Sequence, residues 1–368
     1  MKQIWVLLVL PFFTIAQNSS EINKAYSKFD FIPGDKIVYV NNFETDAKGE
    51  LPIGWNTNAS GETVSLLNQS WVKFRQNALY ITDNSKSFTG DFTAEFDLFL
   101  DFKGTDAMFP QVSFGILSSG AVKPNSNAVL QNIFQHQLVS IDFNAGLENN
   151  SVTKLVSFNK GNEYFNSGEK AFKQLENLLN KTIHISMQVQ QQRFRLWVNE
   201  IKLFDVPQAM PENTNMNQLF FRLSQGGFSD EQVAVFVTNI KVAKGVADTR
   251  NKLLTEGRFS TTGILFDVNS AVIKPESYGI IKEIADVLKL NPSLKILIVG
   301  HTDAEGNDAD NLLLSKQRSE AVKQLLIKEY NVAAANIGTD GKGESVPVGD
   351  NKTKEGKAQN RRVEFIKQ

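Results

Sequence analysis

The stretch that most constrains the fold of this chain covers residues 296–318. An apolar run at 296–299 leads directly into Gly300, His301, Thr302 and Asp303, and a short apolar run that ends in turn residues is typical of a buried strand. After residue 308, apolar side chains recur at steps of three and four, which indicates an amphipathic helix. The sequence therefore predicts a strand, a loop that contains Asp303, and a helix.

The predicted helix carries polar residues on one face. Asn311, Ser315 and Arg318 are four and three residues apart, so they lie on the same side of a helix. Asp303 at the strand end and Arg318 on this face bring a carboxylate near a guanidinium. Such a pair can neutralise itself as a structural ion pair, which is the more common role. It can also hold a ligand with both an amine and a carboxylate, Asp303 binding the amine and Arg318 the acid.

Further motifs surround this stretch in a fixed order. They are Phe266-Asp267-Val268-Asn269, Ile273-Lys274-Pro275, Gly341-Lys342-Gly343-Glu344, Asn351-Lys352-Thr353 and Asn360-Arg361-Arg362-Val363-Glu364. Together with residues 300–318 they resemble the OmpA-like peptidoglycan-binding domain, over residues 258–368. The resemblance implies non-covalent binding of the cell-wall peptide at its diaminopimelate residue.

The resemblance also implies roles for individual residues. The family holds its ligand with an aspartate and an arginine fifteen residues later, which correspond to Asp303 and Arg318 here. Asn269, Asn311 and Arg361 stand at the matching supporting positions, and Thr302 beside Asp303 completes the predicted peptidoglycan-binding set.

The composition is that of an ordinary globular protein. The chain has 368 residues, 41% hydrophobic and 21% charged, which is enough for two domains. A net charge of -1 gives no reason to expect nucleic acid as a partner. The chain has no cysteine, which excludes disulfides and thiolate metal sites. Its three histidines, His136, His184 and His301, have no metal-binding spacing, so we expect no metal site and no cofactor, and a packing or turn role for His301.

The first residues have the pattern of a secretory signal peptide. Lys2 supplies a positive charge, an apolar stretch follows, and Ala16 offers a small-residue cleavage position. The apolar stretch is short for a membrane anchor, which is the alternative, and Pro11 interrupts it. We predict a signal peptide over residues 1–16 and an irregular segment over 17–36. Export without cysteine fits the periplasm.

Residues 37–245 are predicted to form strands separated by turns. Apolar and polar residues alternate from Phe92 to Phe102, which is the period of a strand with one buried face. The pattern recurs at residues 183–189, 194–198 and 233–237. Many half-buried strands in succession predict an all-β sandwich, with a jelly-roll topology.

Pieces of this region resemble concanavalin-A-like jelly rolls. They are Phe43-Glu44-Thr45-Asp46 with Leu51-Pro52-Ile53-Gly54-Trp55, and Arg195-Leu196-Trp197-Val198-Asn199 with Phe204-Asp205-Val206-Pro207. With the C-terminal motifs, the order of parts looks like exported OmpA-family proteins of the Bacteroidetes. Members of the wider sandwich class often bind carbohydrate, which by analogy of fold makes carbohydrate a further expected ligand.

An outer-membrane β-barrel with a periplasmic wall-binding tail is one alternative, because the best-known OmpA proteins have this arrangement. A barrel presents apolar residues to lipid. Here the polar faces of the predicted strands carry charges such as Glu95, Asp97 and Arg193. A barrel lumen can also be charged, so the sandwich is favoured and the barrel stays open.

An exported glycan-active enzyme of the jelly-roll glucanase type is the other alternative. Such enzymes carry Glu-x-Asp-x-x-Glu on one strand, and a glycosidase needs a pair of carboxylates. Glu95 and Asp97 supply the first two positions, but the third is Leu100. We therefore interpret Glu95 and Asp97 as a solvated strand face, and we predict no catalytic residues and no enzyme activity.

The remaining chain is predicted as a linker and an α+β domain. Residues 246–258 are mostly polar and mark the linker. Residues 259–368 are predicted to fold in the order βαβαβ-β, with helices packed on one sheet. The predicted strands cover 263–266, 294–299, 337–342 and 363–366, and the predicted helices start at Pro275 and cover 309–330.

These features predict a non-enzymatic cell-envelope protein in the periplasm, associated with the cell wall and the outer membrane. It is expected to bind peptidoglycan through the diaminopimelate-containing stem peptide. Its exported β-sandwich would thereby be tethered to the wall.

Overall fold

The computed structural model describes residues 29–368, except for residues 84, 105–107, 121, 124–125, 213 and 246–247. The predicted signal peptide and residues 17–28 of the predicted irregular segment lie outside the described residues. Residues 29–35 are described, and they precede the first strand. Among the helices that the structure describes, none combines the length and apolar character needed to span a bilayer.

The region from residue 36 to residue 244 is built from strands. In chain order they are β1 (Lys36–Asn41), β2 (Asn56–Thr57), β3 (Gly61–Leu66), β4 (Gln69–Phe74), β5 (Ala78–Ile81), β6 (Phe92–Phe102), β7 (Val112–Ser118), β8 (Gln137–Asn144), β9 (Val152–Asn159), β10 (Asn162–Ala171), β11 (Thr182–Gln190), β12 (Arg193–Val198), β13 (Ile201–Val206), β14 (Gln218–Leu223) and β15 (Val233–Lys244). A short helix, α1 (Ala128–Gln131), and 3-10 turns at Ile133–Gln135 and Lys173–Leu178 interrupt them. The strands that the sequence predicts at 92–102, 183–189, 194–198 and 233–237 are confirmed.

These strands form two antiparallel sheets. One has the order β13-β12-β11-β6-β15-β4-β3, and β1 also pairs with β15. The other has the order β10-β9-β8-β7-β14-β5-β2. Strand β6 is central in the first sheet, where Phe96 pairs with Ile185 of β11 and Leu100 pairs with Val235 of β15.

Apolar side chains from both sheets meet in one core. Phe96 of the first sheet contacts Phe114 and Phe221 of the second, with ring centroids 5.5 Å and 5.1 Å apart. Edge-to-face aromatic pairs of this kind contribute about 1 kcal/mol each beyond their burial. The alternating apolar residues of β6 are buried in this core from Phe92 to Leu100. The prediction of an all-β region is confirmed, whereas β6 is buried on both of its faces from Phe92 to Leu98.

A smaller α/β region follows. It contains α2 (Thr249–Asn251) continued by a π turn at Lys252–Glu256, β16 (Arg258–Thr261), a 3-10 turn (Pro275–Ser277) leading into α3 (Tyr278–Leu290), β17 (Ile296–Gly300), α4 (Asp308–Lys328), a 3-10 turn (Ala334–Asn336), β18 (Ile337–Gly341), α5 (Lys354–Asn360) and β19 (Val363–Lys367). The sheet has the order β16-β19-β17-β18, in which β17 and β18 are parallel. A second core lies between this sheet and the helices α3 and α4.

Two details of this region differ from the predicted order βαβαβ-β. The first strand is β16 rather than residues 263–266, because β16 pairs with β19 from Arg258 to Thr261 and the chain then leaves the sheet. The amide of Gly263 donates to Thr261 Oγ1 at that exit, at 3.0 Å. Helix α5 was not predicted, because its seven residues are too few to show a helical period. Its first turn is capped by Thr353 Oγ1, which accepts a hydrogen bond from the amide of Gly356 at 3.0 Å.

The segment predicted as the linker also contains structure. Helix α2 and the π turn lie within it, and Leu253 is fully buried in the second core. Strand β16 begins at Arg258, inside the same segment. The apolar residues of the segment are few, which is why composition alone suggests a polar linker.

Several contacts join the two regions. Phe31 packs against Trp197 of β12, at 5.2 Å between ring centroids, and a Cβ on Gly279 of α3 would lie 2.3 Å from the carbonyl oxygen of Phe31. Helix α5 lies against β1, where Gln359 Oε1 accepts a hydrogen bond from the amide of Ile37 at 3.0 Å. Residues 29–35 and α5 therefore hold the strand region against the α/β region.

Candidate functional site

The loop that follows β17 lies directly against helix α4. A Cβ on Gly300 would lie 2.2 Å from the carbonyl oxygen of Ser315, and a Cβ on Gly341 would lie 2.4 Å from the amide nitrogen of Lys316. Only glycine permits backbone segments to approach this closely. The backbone, rather than adjustable side chains, therefore sets the separation between the loop and the helix.

Asp303 lies in this loop and is 6% exposed. Its carboxylate forms an ion pair with the guanidinium of Arg361, and it accepts a hydrogen bond from the amide of Glu305 at 3.2 Å. Among the ion pairs of the described residues, none joins Asp303 to Arg318. The structural ion pair between these two residues, which spacing alone favours, is therefore absent, since Arg361 takes the place of Arg318.

Arg318 has a different environment. Its Nε donates to the carbonyl oxygen of Ser270 at 3.0 Å, and its guanidinium carbon lies 4.9 Å from the centre of the Phe266 ring. Burial and the nearby Arg361 lower the pKa of Arg318, against the opposing effect of Asp303. The ordinary pKa of arginine is so high that the group stays charged. Its planar terminal nitrogens suit a carboxylate.

The other predicted site residues, Asn311, Asn269 and Thr302, differ in their exposure and in their hydrogen bonds. Asn311 donates through Nδ2 to Glu344 Oε2 at 2.6 Å and to the carbonyl oxygen of Glu305 at 2.9 Å, so this amide nitrogen organises the loop after β17. Asn269 is exposed and has a left-handed backbone, with φ of 53°. Thr302 is buried, and its hydroxyl has no hydrogen-bond partner among the described residues.

The neighbours His301 and Arg362 belong to the interior of the α/β region. Burial and the charge of Arg362 lower the pKa of His301 to about 4, so this histidine is neutral at pH 7. Arg362 is 3% exposed and pairs with Glu364 at 2.7 Å. The two consecutive arginines thus have opposite environments, with Arg361 paired to Asp303 and Arg362 buried against Glu364.

All of the predicted site residues line one cavity, of about 460 Å³. They are Asn269, Thr302, Asp303, Asn311, Arg318 and Arg361. The opposite wall of the cavity comes from the strand region and includes Gln69, Glu95, Asp97, His184 and Asn239. No pattern in the sequence indicated this second wall, because alternation shows which face a residue is on but not what covers that face.

Glu95 and Asp97 therefore do not form a solvated strand face. They are 4% and 8% exposed, and they surround His184, whose Nδ1 lies 2.7 Å from Asp97 Oδ1. Lys241 of β15 lies 2.9 Å from Glu95 Oε1. The prediction of a solvated face is wrong, because strand β11 brings His184, and strand β15 brings Lys241, onto the same face of the sheet.

Contacts within this cluster stabilise the charged forms of Glu95, Asp97 and His184. Burial disfavours the charged form of His184, but the carboxylates of Asp97 and Glu95 outweigh burial and raise its pKa to about 10. Burial likewise opposes ionisation of Glu95 and Asp97, and the basic groups beside them outweigh it and lower both pKa values. Two carboxylates thus face an imidazolium and an ammonium, so the cluster is balanced in charge.

Residues that sequence reasoning did not assign to the site complete it. Phe266 and Ser270 hold the guanidinium of Arg318, and Glu344 holds Asn311. Phe266 and Glu344 stand within the motifs of the sequence, but nothing in their spacing indicated these contacts. Within the described residues, no group of three or more metal-ligating side chains is placed to hold an ion.

The α/β region that carries the predicted site residues matches a known protein family. Residues 265–361 match the OmpA family. The C-terminal part of the chain is therefore an OmpA family domain, as the motifs predicted.

Individual relatives share this part of the chain. Outer membrane porin F of Pseudomonas aeruginosa is 46% identical over 101 residues, which cover 27% of this chain and 29% of porin F. Peptidoglycan-binding protein ArfA of Mycobacterium tuberculosis is 39% identical over 103 residues, which cover 28% of this chain and 31% of ArfA. The chain thus spans less than a third of the length of these two relatives.

A solved structure is similar to a third of the chain. The peptidoglycan-associated lipoprotein from Burkholderia pseudomallei is 29% identical and covers 33% of this chain and 98% of its own, with a TM-score of 0.28.

Proposed function

We propose that this protein is a non-enzymatic cell-envelope protein that binds peptidoglycan non-covalently through the diaminopimelate residue of the wall peptide. The observation that carries the proposal is that Asp303 and Arg318 line one cavity without pairing to each other. One relative is named peptidoglycan-binding protein ArfA, and this name supports the same class of ligand.

The chemistry of the two groups suits the end of such a peptide. Diaminopimelate carries an amine and a carboxylate on one carbon. The amine is expected to bind the buried carboxylate of Asp303, and the acid the terminal nitrogens of Arg318, whose Nε is already used by Ser270. Arg361 forms an ion pair with Asp303, so the amine is expected to share or replace this contact. Each ligand charge then meets an opposite charge in a partly desolvated site.

The strand region is the cargo in this proposal. Binding through residues 265–361 would tether an exported β-sandwich to the wall, in the periplasm and in association with the outer membrane. A jelly-roll topology of the concanavalin-A type, and carbohydrate as its ligand, are proposed on the sequence motifs alone.

The buried and paired state of Glu95 and Asp97 supports the absence of a glycosidase at this strand, since neither carboxylate is free to act as acid or nucleophile.

Sedimentation with insoluble peptidoglycan tests the proposal. Asp303→Ala and Arg318→Ala should each weaken binding by about 2–5 kcal/mol, the usual loss when one partner of a buried charge pair is removed. Arg318→Lys should also bind poorly, because a point charge does not reproduce the planar fork. Lys316→Ala is a matched control, since Lys316 is an exposed charged residue of α4 that does not line the cavity.

The same assay tests the diaminopimelate assignment. Peptidoglycan with lysine in place of diaminopimelate has the amine but not the second carboxylate, so it should sediment much less protein. Equal binding to the two kinds of peptidoglycan would refute the assignment. Wild-type sedimentation by both alanine variants would refute the site itself, and a large loss of melting temperature in those variants would make the residues structural.

A further inference from the structure

The cavity that contains Asp303 and Arg318 has two walls from different parts of the chain. One wall is the OmpA family domain. The other includes residues from β1, β4, β6, β11 and β15 of the first sheet. A ligand that binds Asp303 and Arg318 therefore faces the sheet across the same space.

Buried polar atoms without partners lie on both walls. Thr262 Oγ1 and Thr302 Oγ1 on the α/β side have no hydrogen-bond partner among the described residues, and on the sheet side His184 Nε2 has none within hydrogen-bond distance and lies 3.7 Å from Glu95 Oε2. Each of these residues is less than 9% exposed and lines the cavity. Buried polar groups are nearly always hydrogen-bonded, because an unpaired one costs about 1–3 kcal/mol. Their clustering around one cavity points to a polar occupant that contacts both walls.

The charges indicate which kind of occupant fits. On the sheet side, Glu95 and Asp97 are matched by His184 and Lys241, so this wall attracts neither a polyanion nor a polycation. The volume of about 460 Å³ lies in the usual range of ligand pockets, about 300–1,000 Å³. A short peptide, with charges at its end and amides along its backbone, suits such a space.

Two amide side chains on the sheet wall are oriented towards this role. Asn239 sits at a bulge of β15 with φ of 52°, where the pairing with β6 shifts register. Its Nδ2 donates to Asp97 Oδ2 at 2.8 Å and to Gln69 Oε1 at 3.3 Å. These bonds use Asn239 Nδ2 and Gln69 Oε1 and leave Asn239 Oδ1 and Gln69 Nε2, on two residues that line the cavity, for the C=O and N–H groups of a peptide.

We propose that the strand region forms the second half of the binding site, so that the stem peptide is held between the two regions with Gln69 and Asn239 as specificity-determining contacts. This inference rests on the proposed function. It changes the role of the strand region from a passive cargo to a part of the receptor. Contacts between the regions keep the two walls in place, such as Lys354 Nζ to Asn41 Oδ1 at 2.8 Å.

Calorimetric titration of the whole chain with a synthetic tripeptide, L-Ala-γ-D-Glu-meso-diaminopimelate, tests the proposal. Gln69→Trp fills the cavity from the sheet side and leaves Asp303 and Arg318 untouched. It should weaken binding at least tenfold, about 1.4 kcal/mol. Ser65→Trp is the control, because Ser65 is an exposed residue of the same β3–β4 hairpin outside the cavity lining, and it should bind like the wild type.

The outcomes separate this inference from the proposed function. Failure of the wild-type chain to bind the tripeptide would overturn both. If Asp303→Ala abolishes binding while Gln69→Trp binds like the wild type, the wall site stands and the two-walled site is refuted. Should Gln69→Trp fail to fold, as judged by circular dichroism, Gln69→Ala replaces it with an expected loss of about threefold, and unchanged affinity in that variant refutes the proposal equally.

Discussion

Substitution of His184 by glutamine tests the buried charge cluster of the first sheet. In the folded chain the pKa of His184 is raised to about 10, whereas an unfolded histidine has a pKa of about 6.5. The folded state therefore holds a proton that the unfolded state releases as the pH rises. The stabilisation is complete below about pH 6.5, declines above it, and is lost as the pH rises through about 10.

The size of this effect follows from the same two pKa values. One proton difference between the states changes the free energy of unfolding by about 1.4 kcal/mol per pH unit. Between pH 7 and pH 9 the wild-type chain should lose about 2.5 kcal/mol of stability from this residue. The other two histidines do not titrate in this window, because burial lowers the pKa of both His136 and His301. His184→Gln should be less stable than the wild type at pH 7, and its stability should change much less over the window.

Urea unfolding at pH 6, 7, 8 and 9, at constant ionic strength and followed by tryptophan fluorescence, measures the effect. Residues 248–368 contain no tryptophan, whereas Trp55, Trp71 and Trp197 all lie in the strand region, so the signal reports on the sheets that carry the cluster. A wild-type stability that stays constant from pH 7 to pH 9 would refute the raised pKa of His184. An equal slope in His184→Gln would assign the pH dependence to another group.

Two further substitutions test how the regions are built. Gly300→Ala should destabilise the OmpA family domain by about 2–3 kcal/mol and abolish wall binding, because its Cβ would meet the backbone of α4 at 2.2 Å. Gly338→Ala in β18 should be tolerated, since its Cβ meets only a leucine side chain at 3.2 Å, and equal melting temperatures for the two variants would contradict this reasoning. Lys354→Ala removes the ion pair with Asp46 at 3.2 Å. It should lower the free energy of unfolding by only about 1 kcal/mol, because the pair is partly exposed to solvent. Lys352→Ala, an exposed neighbour, should have no effect in the same calorimetric scan.

The sequence predicted the strands well where one face of each strand is buried. In strand β6, apolar residues alternate between Phe92 and Leu100 because one face of the strand packs in the core. The same alternation contains no information about what covers the other face of the strand. The interpretation of Glu95 and Asp97 as solvated is wrong, because both are buried by residues from β11 and β15 and by the neighbouring domain. Which charges meet on that face depends on strand order, which a single strand does not encode.

The resemblance to the OmpA-like domain indicated Asp303, Arg318 and Arg361 as site residues, and all three line one cavity. The pairings among them were not predictable. The partner of Asp303 depends on where β19 delivers Arg361, and the spacing between Asp303 and Arg318 contains no information about β19. The position of β16 and the existence of α5 were missed for a related reason, since four and seven residues are too short for a periodic signal.

The pairing of β1 with β15 has a consequence for the order in which this chain folds. Lys36 pairs with Lys244, so β1 is synthesised long before β15, its partner in the sheet. Strand β15 also pairs with β4 and β6, which means that neither half of the first sheet closes before it is made. Contacts this distant along the chain slow folding, because the entropy of closing a long loop must be overcome first. A nascent chain shorter than residue 244 therefore carries unpaired strand edges, and it would depend on a chaperone to avoid association through them.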